Sequence, residues 1–437
     1  MSVNSVADND PSTSSSLPDD VTVRGHKGVF VRLTAMMLLE FVVFGSWFAT
    51  LGLVLATNNL PAIIGTAYSL AAVAAIVSPM FLGAIGDRFL SSQKVLALAH
   101  LAGGVVMLFL PAVVSAGNGS LALVLIFVYM LFFQPTLGLA NSIAFRHVGT
   151  NQRAFPYIRV FGTIGWVIAG LLVGGLGLSA SSGIFYVTAA ASLLFGLYSF
   201  TLPHTPAPAK GARFALGDVI GAKAFRLFRH RNFVVLMICA VLTSISLGVY
   251  NTFSSPYLGA LGISNVAGVL AIGQASEVAF IITIPWVLSK VGMKWGLFFG
   301  MVLWGVRFAL FIAAAGDSLS WLAIVAIAMH GICNDFFLVL AAMYIDRVAP
   351  VDLTAQAQSM LILVISGIGA FVGATVSGTI FGEVVAPNAA AGPAAWTPIW
   401  LVPIGTAILT AFVWTIFFRY SRNHEIVRME PSAAQAK

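Results

Sequence analysis

Long apolar segments, broken by Gly, Asn, Pro, Ser or basic clusters, follow one another along the chain. Most reach the roughly 20 residues that a helix needs to cross a bilayer. The first six predicted spans cover 31–57, 61–85, 95–115, 119–146, 158–178 and 183–201. The second six cover 234–256, 266–289, 295–315, 320–345, 356–381 and 396–418. This pattern predicts an all-α polytopic membrane protein with twelve transmembrane helices.

The polar segments divide these spans into two halves. Residues 1–27 contain no apolar core followed by a small-residue cleavage site, so they predict a disordered cytoplasmic tail and not a signal peptide. Residues 28–201 and 233–419 are the predicted six-helix halves, and 420–437 is a second cytoplasmic tail. Between the halves, 202–232 is first proline-rich and then basic, which indicates a cytoplasmic linker.

Composition and charge support this interpretation. With 59% hydrophobic and 8% charged residues and a mean hydropathy of +0.97, the chain could not present a water-soluble surface. The net charge of +7 does not indicate nucleic-acid binding, because the basic residues sit in short loops. These loops alternate with loops near 115–120 and 382–396 that contain neither Lys nor Arg. The positive-inside rule then predicts a multi-pass protein of the plasma membrane, with both termini in the cytoplasm.

Four charged residues fall in the middle of predicted spans: Glu40, Glu277, Arg307 and Asp335. A charge at that depth costs roughly 2.5 to 3.5 kcal/mol on insertion scales, so it usually faces the bundle interior or a watery cavity. We expect Arg307 to form a structural ion pair with Asp335 or Glu277. At least one acid then remains to be protonated or to face a cavity, and Glu277 and Asp335, followed by Glu40, are the candidates for proton coupling. The alternative for Glu277 is an ion pair that only holds helices together.

Polar side chains share a face on two spans. Gln274 and Glu277 are three residues apart, and Arg159, Thr163 and Trp166 are spaced by four and three. The second face offers a cation, a hydroxyl and a stacking surface, which suits a polyhydroxylated ligand with a flat ring. The simpler alternative is that Arg159 reaches the membrane interface and Trp166 packs against a neighbouring helix.

Other residues carry less information. On the fourth span Gln134 and Asn141 add amides near Pro135, which predicts a kink. Cys239 and Cys333 lie inside apolar spans without ligand-like neighbours, so we expect no disulfide framework, metal site or cofactor.

The arrangement of six plus six spans around a long linker resembles the major facilitator superfamily. The run Gly83-Ala-Ile-Gly-Asp87-Arg88 is similar to the superfamily's G-x-x-x-D-R signature between the second and third helices. The resemblance implies two pseudo-symmetric halves that rock about a midplane site, with Gly83, Asp87 and Arg88 as a conformational loop.

Motifs spread over nearly the whole chain are similar to those of the nucleoside:proton symporters of this superfamily. They are GSWFATLG (45–52), PTLGLANSIAF (135–145), IRVFGTIG (158–165), TLPHTP (201–206), SEVAFIITIP (276–285), RFALF (307–311), DFF (335–337) and AQSM (357–360). The resemblance implies substrate contacts from Arg159, Thr163, Gln274, Glu277 and Asp335. It also implies an aromatic role for Trp166, where the family often has Phe.

The sequence departs from the family pattern at several places. The positions of two seventh-span amides are occupied by Ser244 and Leu247, although the following Asn251-Thr-Phe is present. Asn334 stands where such carriers can have an aromatic residue, and Glu40 where they can have Gln. The exact substrate is therefore left open.

The leading interpretation is a monomeric transporter that imports nucleosides or a related polyhydroxylated small molecule by proton symport with alternating access. Its expected partners are this substrate, protons and the lipid bilayer. The alternative is a proton-coupled antiporter that exports amphiphilic compounds, because the fold does not set direction. A membrane sensor would need a signalling domain, for which we see no candidate segment. An enzyme is not expected, because no nucleophile–base pair, phosphate-binding loop or metal cluster is visible.

Overall fold

The computed structural model describes residues 27–148, 154–206 and 222–419. All regular secondary structure in these ranges is helical. Within these ranges, ten helical segments are long and apolar enough to cross a membrane, and a bent helix pair forms an eleventh span. The shorter apolar helix Ile184–Ser199 brings the number to the twelve predicted. The predicted tails, apart from residue 27, and residues 207–221 of the linker lie outside the described residues.

We number the spans 1 to 12 in chain order. Those of the N-terminal half are span 1, Lys27–Gly45 with Leu51–Thr57; span 2, Ile64–Phe89; span 3, Ser92–Ser115; span 4, Gly119–Val148; span 5, Phe155–Gly175; and span 6, Ile184–Ser199. A 3₁₀ helix, Ala222–Arg229, precedes the C-terminal half.

The C-terminal half is less regular. Its spans are span 7, Arg231–Ala260; span 8, Val266–Ile281 with Ile284–Lys290; span 9, Met293–Ala314; span 10, Trp321–Ala328, His330–Asn334 and Leu340–Val348; span 11, Val351–Ile362 and Ala370–Ile380; and span 12, Thr397–Phe417. The π-helical turn Asp335–Val339 lies inside span 10, and the turns Leu363–Gly369 and Phe381–Val385 belong to span 11. Such turns are rare and are frequent at functional sites.

Span 1 is interrupted between Gly45 and Leu51, where a continuous helix was predicted. The Tyr68 hydroxyl donates to the carbonyl of Phe48 at 2.7 Å, and the amide of Leu53 donates to Ser255 Oγ at 3.2 Å. These side chains from spans 2 and 7 satisfy backbone groups that the break frees. In a bilayer, irregular backbone is stable where protein groups replace the missing hydrogen bonds in this way.

Span 8 also differs from the continuous helix predicted over 266–289. It bends by 52° between its two helices, just before Pro285. Proline has no N–H for the carbonyl four residues earlier, and its ring clashes with that carbonyl. The prediction missed the consequence of this residue for the helix.

The predicted conformational loop is helical. Span 2 continues to Phe89, so Gly83, Asp87 and Arg88 occupy its last turns, and the link to span 3 is Leu90 and Ser91. Chain direction changes where Ser91 becomes extended, at φ −66° and ψ 142°. The side chains of residues 79–89 lie outside the described part of the structure, so their latch function stays a prediction.

The halves meet closely at the end of the bundle opposite Lys27 and Arg419. There span 5 packs against span 8, span 2 against span 11, and the second helix of span 1 against span 7. A Cβ atom on Gly65 would lie 2.6 Å from Gly378 Cα, and Ser69 Oγ lies 2.9 Å from Thr375 Oγ1. Glycine permits this backbone approach between spans 2 and 11. One end of the space between the halves is thereby closed.

Candidate functional site

A cavity of about 230 Å³ lies between the two halves. Its wall is formed by spans 1, 2, 4 and 5 of the first half and spans 7, 8, 10 and 11 of the second. The corresponding spans of each half therefore contribute, as expected when a site lies on the axis that relates two repeats.

Aromatic rings form much of the wall on the N-terminal side. Phe44 packs edge-on against Trp166 with ring centroids 4.7 Å apart, and Phe48 packs against Tyr68 at 5.1 Å. All four residues line the cavity. They provide the kind of surface on which a flat ring can stack.

Three side-chain amides also line the cavity: Gln134, Asn251 and Gln274. Gln274 donates to Glu277 Oε2 at 3.2 Å. The amides of Gln134 and Asn251 have no hydrogen-bond partner among the described residues, so both are free to meet a ligand. The sequence reasoning missed Asn251. Its signal is spacing, because Asn251 follows Leu247 by four residues and lies one turn further along span 7.

Glu277 is surrounded by hydrogen-bond donors. In addition to Gln274, Asn334 donates to Glu277 Oε1 at 2.7 Å, and His330 Nε2 lies 3.2 Å from the same oxygen. Both carboxylate oxygens therefore face donors. Asn334 replaces an aromatic residue of the family pattern and contributes one of these donors.

Arg307 is completely buried, and its Nη1 donates to His330 Nδ1 at 2.8 Å. Its guanidinium carbon lies 3.8 Å from the ring centroid of Tyr250. The expected direct ion pair with Glu277 or Asp335 is wrong for this structure, because His330 lies between Arg307 and Glu277. His330 and Asp335 are five residues apart, hence about 140° apart around a helix, so the two do not face Arg307 together.

Asp335 begins the π-helical turn of span 10 and is 4% exposed. Its Oδ2 is buried without a hydrogen-bond partner among the described residues, and the Glu277 carboxylate is close enough to repel it. Asp335 thus differs from Glu277, because it has a carboxyl oxygen that no donor satisfies. A bound proton would be the missing hydrogen at such a group.

Of the six predicted substrate residues, Trp166 and Gln274 line the cavity, and Glu277 adjoins it through Gln274. Arg159, Thr163 and Asp335 are not part of its wall. The Arg159 guanidinium lies over Phe41 at 4.4 Å from the ring centroid and is attracted by Glu277 of the other half.

The chain is also similar to known transporters. Residues 27–423 match the family model described as nucleoside H⁺ symporter. The chain belongs to the nucleoside H⁺ symporter family. It is 34% identical over 404 residues to the putative nucleoside transporter YegT of Escherichia coli (strain K12), which covers 90% of this chain and 94% of that protein. It is 30% identical over 419 residues to the xanthosine permease of the same organism, covering 92% and 98%.

The crystal structure of the nucleoside transporter NupG is similar to this symporter-family chain with a TM-score of 0.77 and 28% identity, covering 90% of this chain and 100% of that one. The predicted family and major facilitator fold are therefore confirmed, as is the prediction of a proton-coupled secondary transporter and not an enzyme.

Proposed function

We propose that this protein imports a nucleoside together with a proton, and that the nucleoside base binds in the cavity between the halves. The observation that carries the proposal is the combination of an aromatic wall with the free amides of Gln134 and Asn251. A flat heterocycle can stack on the rings while its polar edge bonds to an amide. The names of the relatives, a nucleoside transporter and a xanthosine permease, support this class of substrate.

The two amides suit the edge of a nucleobase. Each carries a donor and an acceptor side by side, which is the pattern that Asn and Gln use when they read bases bidentately. Leu247, which replaces an amide of the family pattern, lines the same cavity. The amide of Asn251, one turn away, takes over the base contact, so the base is held at a different level along span 7.

Arg159, Thr163 and Trp166 lie on one face of span 5 and bind the sugar side of the substrate. Trp166 is on the cavity wall, and Arg159 is attracted by Glu277 across the gap. A hydroxylated ligand between Arg159 and Glu277 would contact both halves at once. Such contacts form when the halves close around substrate and are lost when they open, which is how binding drives alternating access.

Asp335 carries the transported proton, ahead of Glu277 and Glu40. Its unsatisfied oxygen accommodates a proton, whereas the oxygens of Glu277 face three donors. Asp335 takes up the proton on the outer side and releases it inside, so the proton enters with the substrate. In the loaded carrier the protonated Asp335 adds no charge to the low-dielectric interior, where a charge would be costly. The empty carrier returns without the proton. Each 100 mV of membrane potential supplies about 2.3 kcal/mol per charge, or roughly fifty-fold accumulation.

With both termini in the cytoplasm, as the positive-inside rule predicts, the closed end of the bundle is the outer one. We therefore assign the structure to the state of the cycle in which the outer side is shut. A monomer contains the whole cavity, because both walls come from one chain.

The decisive experiment is uptake by purified protein in proteoliposomes with an inward proton gradient. Uridine, inosine and xanthosine should accumulate above equilibrium, and a protonophore should abolish the accumulation. The same nucleosides should raise the unfolding temperature of the detergent-solubilised protein. Accumulation driven by Na⁺ alone, or export of amphiphilic cations in exchange for protons with no nucleoside uptake, would overturn the proposal.

A further inference from the structure

His330 connects Arg307 to Glu277 across three spans. Arg307 on span 9 donates from Nη1 to His330 Nδ1 at 2.8 Å, and His330 Nε2 on span 10 lies 3.2 Å from Glu277 Oε1 on span 8. His330 is 5% exposed and lines the cavity. It is therefore the point at which the buried guanidinium of Arg307 and the partly buried carboxylate of Glu277 meet the substrate space.

The chemistry of these partners fixes the position of the imidazole proton. A guanidinium group has only donors and keeps its charge in proteins, so Nδ1 must accept and carries no hydrogen. A neutral imidazole then has its proton on Nε2, which points at the carboxylate. A second proton, on Nδ1, would set one N–H against another and would break the contact with Arg307.

The other neighbours of His330 do not favour a second proton on the imidazole. Tyr250 of span 7 stacks on the imidazole with ring centroids 5.0 Å apart, and Trp304 of span 9 meets it edge-on at 6.1 Å. Cys333 follows on its own span. Among the described residues packed around the ring, Glu277 is the one acceptor that favours a proton on it, and the Nε2 hydrogen already serves that acceptor.

We propose that Arg307 holds His330 as the neutral imidazole with its proton on Nε2, which makes His330 a positioning residue for Glu277 and not a carrier of the transported proton. Through the imidazole, the charge of Arg307 balances that of Glu277. The carboxylate is then held in place on the edge of the cavity, and the transported proton is left to Asp335. The transport readouts of this proposal rest on the proposed function.

The tautomer can be observed without any substrate. Protein labelled with ¹⁵N-histidine should show, for His330, an unprotonated Nδ1 and a protonated Nε2 that do not change between about pH 5 and about pH 8, where free imidazole titrates. The resonance is assigned by its absence from the His330→Gln variant. A doubly protonated imidazole, or a proton on Nδ1, within this range would overturn the proposal even if nucleoside transport proved wrong.

Uptake and counterflow in proteoliposomes provide the second test. In His330→Gln the amide oxygen can accept from Arg307 while the amide nitrogen donates to Glu277. This variant should retain proton-driven accumulation and the wild-type pH profile, with a KM raised about threefold to tenfold. His330→Leu cannot rescue either contact, and its KM should rise by about tenfold or more.

A proton carrier would behave differently. If His330→Gln lost accumulation but kept counterflow, or shifted the pH profile of uptake, His330 would be the carrier and the proposal would fail. Absence of nucleoside transport in the wild type would refute the proposed function instead, and the spectra would still decide the tautomer.

Discussion

Glu40 and His100 lie side by side inside the N-terminal half, with Glu40 Oε2 3.2 Å from His100 Nε2 and both side chains at most 1% exposed. Thr136 donates to Glu40 Oε1 at 2.6 Å. Ser192 donates to the carbonyl of His100 at 3.0 Å, so its Oγ, 3.2 Å from His100 Nδ1, accepts from that nitrogen. The pair is satisfied within its own half, away from the cavity wall, which is the arrangement of a structural group.

Replacing Glu40 with Gln should therefore be tolerated. With the proton of His100 on Nδ1, its Nε2 can accept from the new amide, whose oxygen accepts from Thr136. We expect an unfolding temperature within a few degrees of wild type and intact proton-driven accumulation. In Glu40→Leu the buried His100 Nε2 loses its partner, at about 1–3 kcal/mol, whereas Thr136 keeps the carbonyl of Phe133. Thermal unfolding should show the loss. If Glu40→Gln kept counterflow but lost accumulation, Glu40 would be the coupling acid.

Asp335→Asn should separate coupling from binding. The amide imitates the protonated side chain permanently, so net uptake against a gradient should stop while exchange of internal for external nucleoside continues. Glu277→Gln is the matched change at the acid that we place against substrate. It should raise KM by about tenfold or more in both assays, because charge-assisted hydrogen bonds are lost. If the two variants showed the reverse pattern, Glu277 and not Asp335 would be the carrier of the transported proton.

The free amides should govern recognition of the base. Gln134→Met and Asn251→Leu keep side-chain volume but remove the hydrogen bonds, so uptake competition by inosine should weaken about tenfold for each. Competition by a riboside whose ring lacks polar edge groups should change little. The control is Asn141→Leu. Asn141 lies seven residues after Gln134 on span 4 and outside the cavity wall. Inosine should compete for uptake by this variant as it does for the wild type. Equal losses for both ligands would mean that the amides maintain shape and do not read the base.

The fold could be predicted from the sequence because apolar length and loop charge are local properties. The interruption at Gly45–Leu51 could not, since it depends on Tyr68 and Ser255, which come from other spans. The bend before Pro285 was readable in principle, as proline acts on its own helix.

The candidate site, too, could be predicted from the sequence only in part. Polar residues on apolar spans could be selected from the sequence, and Gln274 and Trp166 indeed line the cavity. Which of them meet is a matter of rotation about each helix and of three-dimensional packing. The role of His330 could not be predicted from the sequence, because its two partners, Arg307 and Glu277, lie on different spans. Asp335 was singled out, but its unsatisfied oxygen is visible only once neighbours are placed.

The contact between spans 2 and 11 should control closure of one end of the space between the halves. In Gly378→Ala the new Cβ would lie 2.8 Å from Gly65 Cα, so the halves would have to separate by several tenths of an ångström. We expect reduced uptake with substrate binding retained, because the closed state is disfavoured. Gly382→Ala, one turn later on the same span, meets open space and is the control. Uptake and thermal-shift binding should be measured for both variants. Equal uptake by the two would show that the close contact between spans 2 and 11 does not limit transport.

The balance between Arg307 and Glu277 predicts a specific non-additivity. Arg307→Met removes a buried cation that has no neutral form and leaves Glu277 without its balancing charge, so unfolding should become easier by about 3 kcal/mol or more. Glu277→Gln alone leaves the guanidinium unbalanced. The double variant removes both charges together and should be more stable than the sum of the single losses predicts, by about 0.5–3 kcal/mol. Thermal and denaturant unfolding of the four proteins in one detergent completes the cycle. Strict additivity would show that His330 transmits no interaction between the two charges.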